Sequence, residues 1–107
     1  MPINTETLFD NAGKCSELAS DANTPAADKK IYRKHAKKFR AAAMSQAVRD
    51  FDEDAEKISE ANDKISEVNA KLKDRLDGLQ NTASTIGALG ELASILDDIL
   101  NLIPAIV

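Results

Sequence analysis

Met44, Phe51, Ile58, Ile65, Leu72, Leu79 and Ile86 stand seven residues apart, each a large apolar side chain. A second series lies four residues on: Val48, Ala55, Asn62, Asn69, Leu76, Ala83 and Gly90. Alternating steps of four and three are the a/d seam of a coiled coil, here with the first series at d and the second at a. Between Pro25 and Gly78 the chain contains neither Gly nor Pro, so nothing punctuates a helix over that span. The spacing predicts one helix over residues 25–77, about 75–80 Å long at 1.5 Å per residue. An apolar stripe of that length needs partners along all of it.

The phrase K-I-S-E-x-N-x occurs twice in succession, at residues 57–63 and 64–70. Its Lys and Glu residues belong to three Glu-to-Lys pairs at i, i+4: Glu53–Lys57, Glu60–Lys64 and Glu67–Lys71. Such pairs support a helix by a few tenths of a kcal/mol each and mark a wet face. Asn62 and Asn69 admit two readings. At successive a positions they would set register and oligomeric state by pairing with their counterparts, at a cost in stability. Alternatively Ile58, Ala61, Ile65, Val68 and Leu72 form the seam, and both Asn residues lie on its flank.

Two shorter segments flank the long one. Leu8, Ala12, Cys15, Ala19 and Ala22 make a stripe at helical spacing within a helix of about residues 5–20, with Asn4 or Thr5 as N-cap. Thr24 followed by Pro25 reads as a capping hydroxyl and then a Pro at the first helical position. Beyond Asp77-Gly78 a turn is expected, then a helix over about 81–103 capped by Asn81 or Thr82. Its wide apolar face includes Leu89, Leu92, Leu96, Ile99, Leu100 and Ile103, and Pro104 would stop it.

The expected fold is therefore all-α, one helical domain over residues 1–107. A long central helix carries the heptads, and a short N-terminal and an amphipathic C-terminal helix pack on it as a hairpin or bundle. With 107 residues and aromatics limited to Phe9, Tyr32, Phe39 and Phe51, the core is small. Oligomerisation is expected to complete it: a dimer, with a tetramer as the alternative. The interface expected is Met44, Val48, Phe51, Ala55, Ile58, Asn62, Ile65, Asn69, Leu72, Leu76 and Leu79.

Little points to chemistry. Cys15 and His35 are the sole cysteine and histidine, which leaves no disulfide and no cysteine- or histidine-rich metal cluster. The two lie in different predicted helices without a supporting motif, and Cys15 reads as core. No phosphate-binding Gly loop or nucleophile elbow occurs. The acidic run Asp50–Glu56 lacks the Gly turn and ligand spacing of a calcium loop. No enzyme activity, cofactor or metal is expected. The start of the chain lacks the basic and apolar regions of a signal peptide. A cytoplasmic protein is expected, with secretion without a cleaved leader as the alternative.

Net charge is −4, but its distribution is uneven. Residues 1–40 carry eight basic and five acidic side chains, residues 41–107 six and thirteen. At about 100° per residue, Lys29, Lys30, Arg33, Lys34, Lys37, Lys38 and Arg40 fill one half of a helix surface, with Ile31, Tyr32, His35, Ala36, Phe39 and Ala43 opposite. That pattern suits an anionic partner. The first functional expectation is a non-enzymatic structural, adaptor or scaffold-like module that binds itself and an unidentified protein. A second is a membrane-associating effector or pore-forming component using residues 86–107, although acids on the polar side of that helix would repel anionic lipid. The third is a nucleic-acid-associated dimer using residues 29–40, which the overall pI of 4.9 disfavours.

Overall fold

The structure is a computed structural model that describes residues 2–78 and 82–103. Among these residues the chain forms five helices: α1 (Thr5–Ser20), α2 (Ala26–Met44), α3 (Gln46–Arg49), α4 (Ala55–Leu76) and α5 (Thr82–Leu102). The all-α class and the limits of the first helix agree with the sequence reading. The single helix over 25–77 does not form.

Its replacement has a local cause and a global one. Locally, Ser45 leaves the helical region with ψ 120°, and its Oγ accepts the Val48 N–H at 3.2 Å, which starts α3. Asp54 does the same for α4, accepting the Lys57 N–H at 3.0 Å. Ser and Asp side chains offer the backbone this alternative to continued helix, and four acids between Asp50 and Asp54 make that stretch poor helix interior. Globally, an unbroken rod of this length would leave its stripe uncovered, whereas the folded chain is 44 Å in its longest dimension. Val48 and Phe51 turn the corner with their side chains buried. Burial of an aliphatic or aromatic side chain contributes roughly 1.5–3 kcal/mol, more than a cap or a single helix residue costs.

The helices then close into a four-helix bundle. α1 packs on α2 and α4, and α5 packs on α4 and α2, so the order around the core is α1, α2, α5, α4. The core holds Leu8, Leu18, Tyr32, Phe39, Val48, Ile65, Val68, Leu72, Leu89, Leu92, Leu96 and Ile99, all buried. On α4 the buried set is Ile58, Ala61, Ile65, Val68 and Leu72, which is the rotated seam.

The ends carry the remaining local logic. Asn4 caps α1, its Oδ1 accepting the Thr7 N–H at 3.0 Å. α2 departs from expectation by one residue. Pro25 is the flanking residue, its carbonyl accepting from the Lys29 N–H at 2.9 Å, and no side chain caps the helix. α4 ends in the expected turn, where Gly78 adopts φ +77°, a left-handed conformation that residues with a Cβ rarely tolerate. Asn81 lies outside the described residues, as do Leu79 and Pro104.

Candidate functional site

The two flanks of α4 account for the repeated phrase. On one flank Asn62 and Asn69 face α1. The Asn62 Oδ1 accepts the Asn4 N–H at 2.7 Å, and its Nδ2 donates to the Pro2 carbonyl at 3.1 Å. Asn69 donates to Asp10 Oδ2 and Asn11 Oδ1, each at 2.8 Å. Asn11 is fully buried and donates in turn to the Ile65 carbonyl at 3.1 Å. The Lys14 ammonium at 2.5 Å and the Asn69 amide hold the Asp10 carboxyl below its usual range. Both asparagines therefore lie on the flank of the rotated seam, as the second reading of the sequence had it, and bond the N-terminal segment and α1 of the same chain.

On the other flank the lysines face α5. Lys57 pairs with Asp98 at 3.7 Å, Lys64 with Glu91 at 2.6 Å, and Lys71 donates to Ser84 Oγ at 2.9 Å. Within α4 the ion pairs are Lys57–Glu60 and Lys64–Glu67, at i, i+3 with Lys first; the predicted Glu53–Lys57, Glu60–Lys64 and Glu67–Lys71 are not among the ion pairs of the described residues. Glu67 and Glu91 together raise the Lys64 pKa, Glu67 more.

The expected oligomer interface is thereby dispersed. Val48, Phe51, Ile58, Ile65 and Leu72 are buried in their own chain, and Leu76 packs half-buried against the same core. Ala55 and Met44 are exposed, Met44 at 67%. Leu79 lies outside the described residues. The C-terminal face is covered in the same way: Leu89, Leu92, Leu96 and Ile99 are buried, Ile103 is half-buried on the core, and Leu100 is 42% exposed. No helix among the described residues is long and apolar enough to cross a membrane.

The basic surface behaves differently. Lys30, Arg33, Lys34, Lys37 and Arg40 are exposed on the outer side of α2, with Lys29 and Lys38 half-buried at its edges. Lys38 forms an ion pair with Asp97 of α5, and Arg40 donates to Ser16 Oγ of α1 at 3.4 Å. Among the described residues, Lys29, Lys30, Arg33, Lys34 and Lys37 have no ion-pair partner. On the opposite half of the helix Tyr32, His35, Ala36, Phe39 and Ala43 are buried, and Ile31 is half-buried.

The reactive side chains are sequestered. Cys15 is buried, and desolvation pushes its thiol up to about 12, far from a nucleophilic thiolate. His35 stacks on Phe39 with ring centroids 5.5 Å apart, and its Nδ1 has no hydrogen-bond partner among the described residues. Burial first, then Lys34 and Lys38, lower its pKa. No cluster of metal-ligating side chains occurs among the described residues.

Comparison of the chain with family models, curated proteins and solved structures returns no match. What the chain can do must therefore be read from its own surface.

Two features escaped the sequence reading. Asn11 sits in an apolar stripe, and its spacing of seven from Asn4 repeats that of Asn62 and Asn69. The second is a cleft between α2 and α5 lined by Lys38, Ala41, Ala42, Ser45, Leu96 and Leu100. No periodicity within one helix could reveal a gap between two.

Proposed function

We propose that this protein is a non-enzymatic interaction module whose working surface is the outer face of α2, docking on an acidic protein partner. One contrast carries the reading. The lysines of α4 that face α5 are tied to it, whereas Lys29, Lys30, Arg33, Lys34 and Lys37 of α2 have no ion-pair partner among the described residues. Clustered unpaired cations raise the local potential and attract an anionic surface.

An acidic protein fits this face better than nucleic acid. The stripe from Lys30 to Lys38 is about 12 Å long at 1.5 Å per residue, shorter than a bound duplex or strand would track. Tyr32 and Phe39 are buried, so no ring on α2 is offered to a base. Asp97 of α5 already meets the stripe at its edge, where its carboxylate pairs with Lys38, so a protein carboxylate is the kind of group this face accepts. Self-assembly through the heptad seam would require withdrawing Ile58, Ile65 and Leu72 from the bundle core, which favours the outer face of α2 over that seam as the docking surface.

The test is titration of the full chain with an acidic polypeptide, polyglutamate, and separately with mixed-sequence RNA and with phosphatidylserine vesicles. Salt-sensitive binding of polyglutamate, lost in the Lys30→Glu/Lys34→Glu/Lys37→Glu variant, is expected. Tighter binding of RNA or vesicles, or polyglutamate binding untouched by the variant, would reject this reading.

A further inference from the structure

The four helices enclose the core unevenly. α2 and α5 make the sparsest of the four neighbouring contacts, and the cleft between them measures about 250 Å3. That is below the roughly 300–1,000 Å3 of small-molecule sites and closer to the size of an anchoring side chain. Its walls are largely apolar: Leu96 and Leu100 from α5, and the small Ala41 and Ala42 from α2. Leu100 is 42% exposed, and Met44, one turn beyond Ala41, is among the most exposed apolar side chains of the bundle.

Charge and cleft share one side of α2. Lys34, Lys38, Ala41 and Ser45 follow at steps of four, three and four, a single row along the helix. Lys30, Lys37 and Met44 form the adjacent row, at two steps of seven. Lys38 also reaches across to the carboxylate of Asp97, so a carboxylate already occupies the position above the cleft.

We propose that this cleft receives the apolar edge of an acidic amphipathic helix from a partner protein, whose carboxylates meet Lys34, Lys37 and Lys38. The inference rests on the interaction module proposed above and names its partner class. A helix seated along the α2–α5 groove places apolar anchors at i, i+3, i+4 and i+7 over Leu96 and Leu100. Its acids on the α2 side face Lys34 and Lys37, which have no ion-pair partner among the described residues, and Lys38, which is paired with Asp97. One of them displaces Asp97 from Lys38, an exchange of one exposed ion pair for another that costs little.

The full chain is titrated with two synthetic helical peptides of equal negative charge. One has Leu along a single stripe and Glu elsewhere; in the other, Ala replaces Leu. The Leu peptide should bind about tenfold tighter and shift the NMR signals of Ala41, Ala42, Leu96 and Leu100. Ala41→Phe, made at an exposed position, should reduce it to the level of the Ala peptide while leaving the Ala peptide unchanged. Asp97→Asn should tighten binding, and Asp98→Asn, which carries the same charge change on the α4 side, should not.

Equal affinity of the two peptides overturns the cleft as a docking site but leaves an electrostatic module standing. Binding of neither peptide, nor of polyglutamate, removes both readings. A concentration-dependent increase in mass by light scattering, abolished by Ala41→Phe, would identify a second copy as the occupant and overturn the proposed partner class.

Discussion

Asn69 donates its side-chain amide to the Oδ1 of Asn11 at 2.8 Å, 58 residues away in sequence. Asn62 and Asn4 are joined at the same offset of 58, so α1 and α4 run parallel in constant register. On the other flank of α4 the register runs the opposite way. Moving up seven residues from Lys57 to Lys64 to Lys71 moves the partner down seven, from Asp98 to Glu91 to Ser84. The heptad of α4 is thus read on three sides at once. Its isoleucines enter the core, its asparagines hold α1 and its lysines hold α5.

Asn11 is the most costly of these polar groups to remove. Asn11→Ala leaves the Ile65 carbonyl and the Asn69 amide short of a partner inside the α1–α4 contact. A loss of about 1–3 kcal/mol is expected in urea unfolding. Asn69→Ala alone should cost less, because that side chain is half-buried. A double-mutant cycle should return a coupling of at least about 0.5 kcal/mol; additivity of the two variants would mean the contact is not formed.

Ile65→Ala and Leu72→Ala each empty a fully buried site and should cost about 2–5 kcal/mol. Met44→Ala, in the same heptad series but 67% exposed, should change stability by less than about 0.5 kcal/mol. Equal losses at Met44 and Ile65 would point to a heptad seam buried between chains, against the bundle described here.

The lysine ladder is exposed and should contribute little. Lys64→Ala is expected to cost under about 1 kcal/mol, and less at high salt. Lys64→Glu combined with Glu91→Lys should recover most of what Lys64→Glu alone loses, since the pair spans α4 and α5 at 2.6 Å.

Acid should destabilise the bundle in two stages. The folded state holds His35 below its ordinary 6.5, so below that pH the unfolded chain takes up a proton that the folded chain resists. Stability is complete above about 6.5 and declines as pH falls through the folded value. Asp10, also depressed, adds a second loss below its ordinary 3.8. Melting temperature followed from pH 8 to pH 3 tests both. His35→Gln should flatten the first stage and leave the second.

Cys15 should be silent toward thiol reagents while the protein is folded, because it is buried and its thiol ionises only near 12. Labelling by a disulfide reagent should therefore follow the rate of unfolding and accelerate in Leu72→Ala. Immediate stoichiometric labelling of the native protein would contradict the burial described.

The all-helical class, the limits of α1, the turn at Gly78 and the apolar half of α2 were legible in the sequence. Each follows from interactions within a few residues: the Asn4 cap, the missing Gly and Pro, the period of the apolar side chains, and the left-handed glycine. The break between α2 and α4 left fainter marks, in Ser45 and in the Asp-rich stretch ending at Asp54. Their capping hydrogen bonds compete with continued helix by amounts too small to decide the matter locally.

Tertiary packing decided the rest. A heptad states that a helix needs an apolar partner, but not whether that partner is another chain or the same one folded back. Here Leu8, Phe39, Leu89 and Leu96 supply the missing surface from within. The same burial that closed the core left α2 with cations that have no ion-pair partner among the described residues, and an incompletely closed seam beside α5. Sequence determined which faces would seek water or apolar contact, because that depends on each residue's own chemistry. Only the fold determined which face remained unsatisfied, because that depends on where every other helix came to rest.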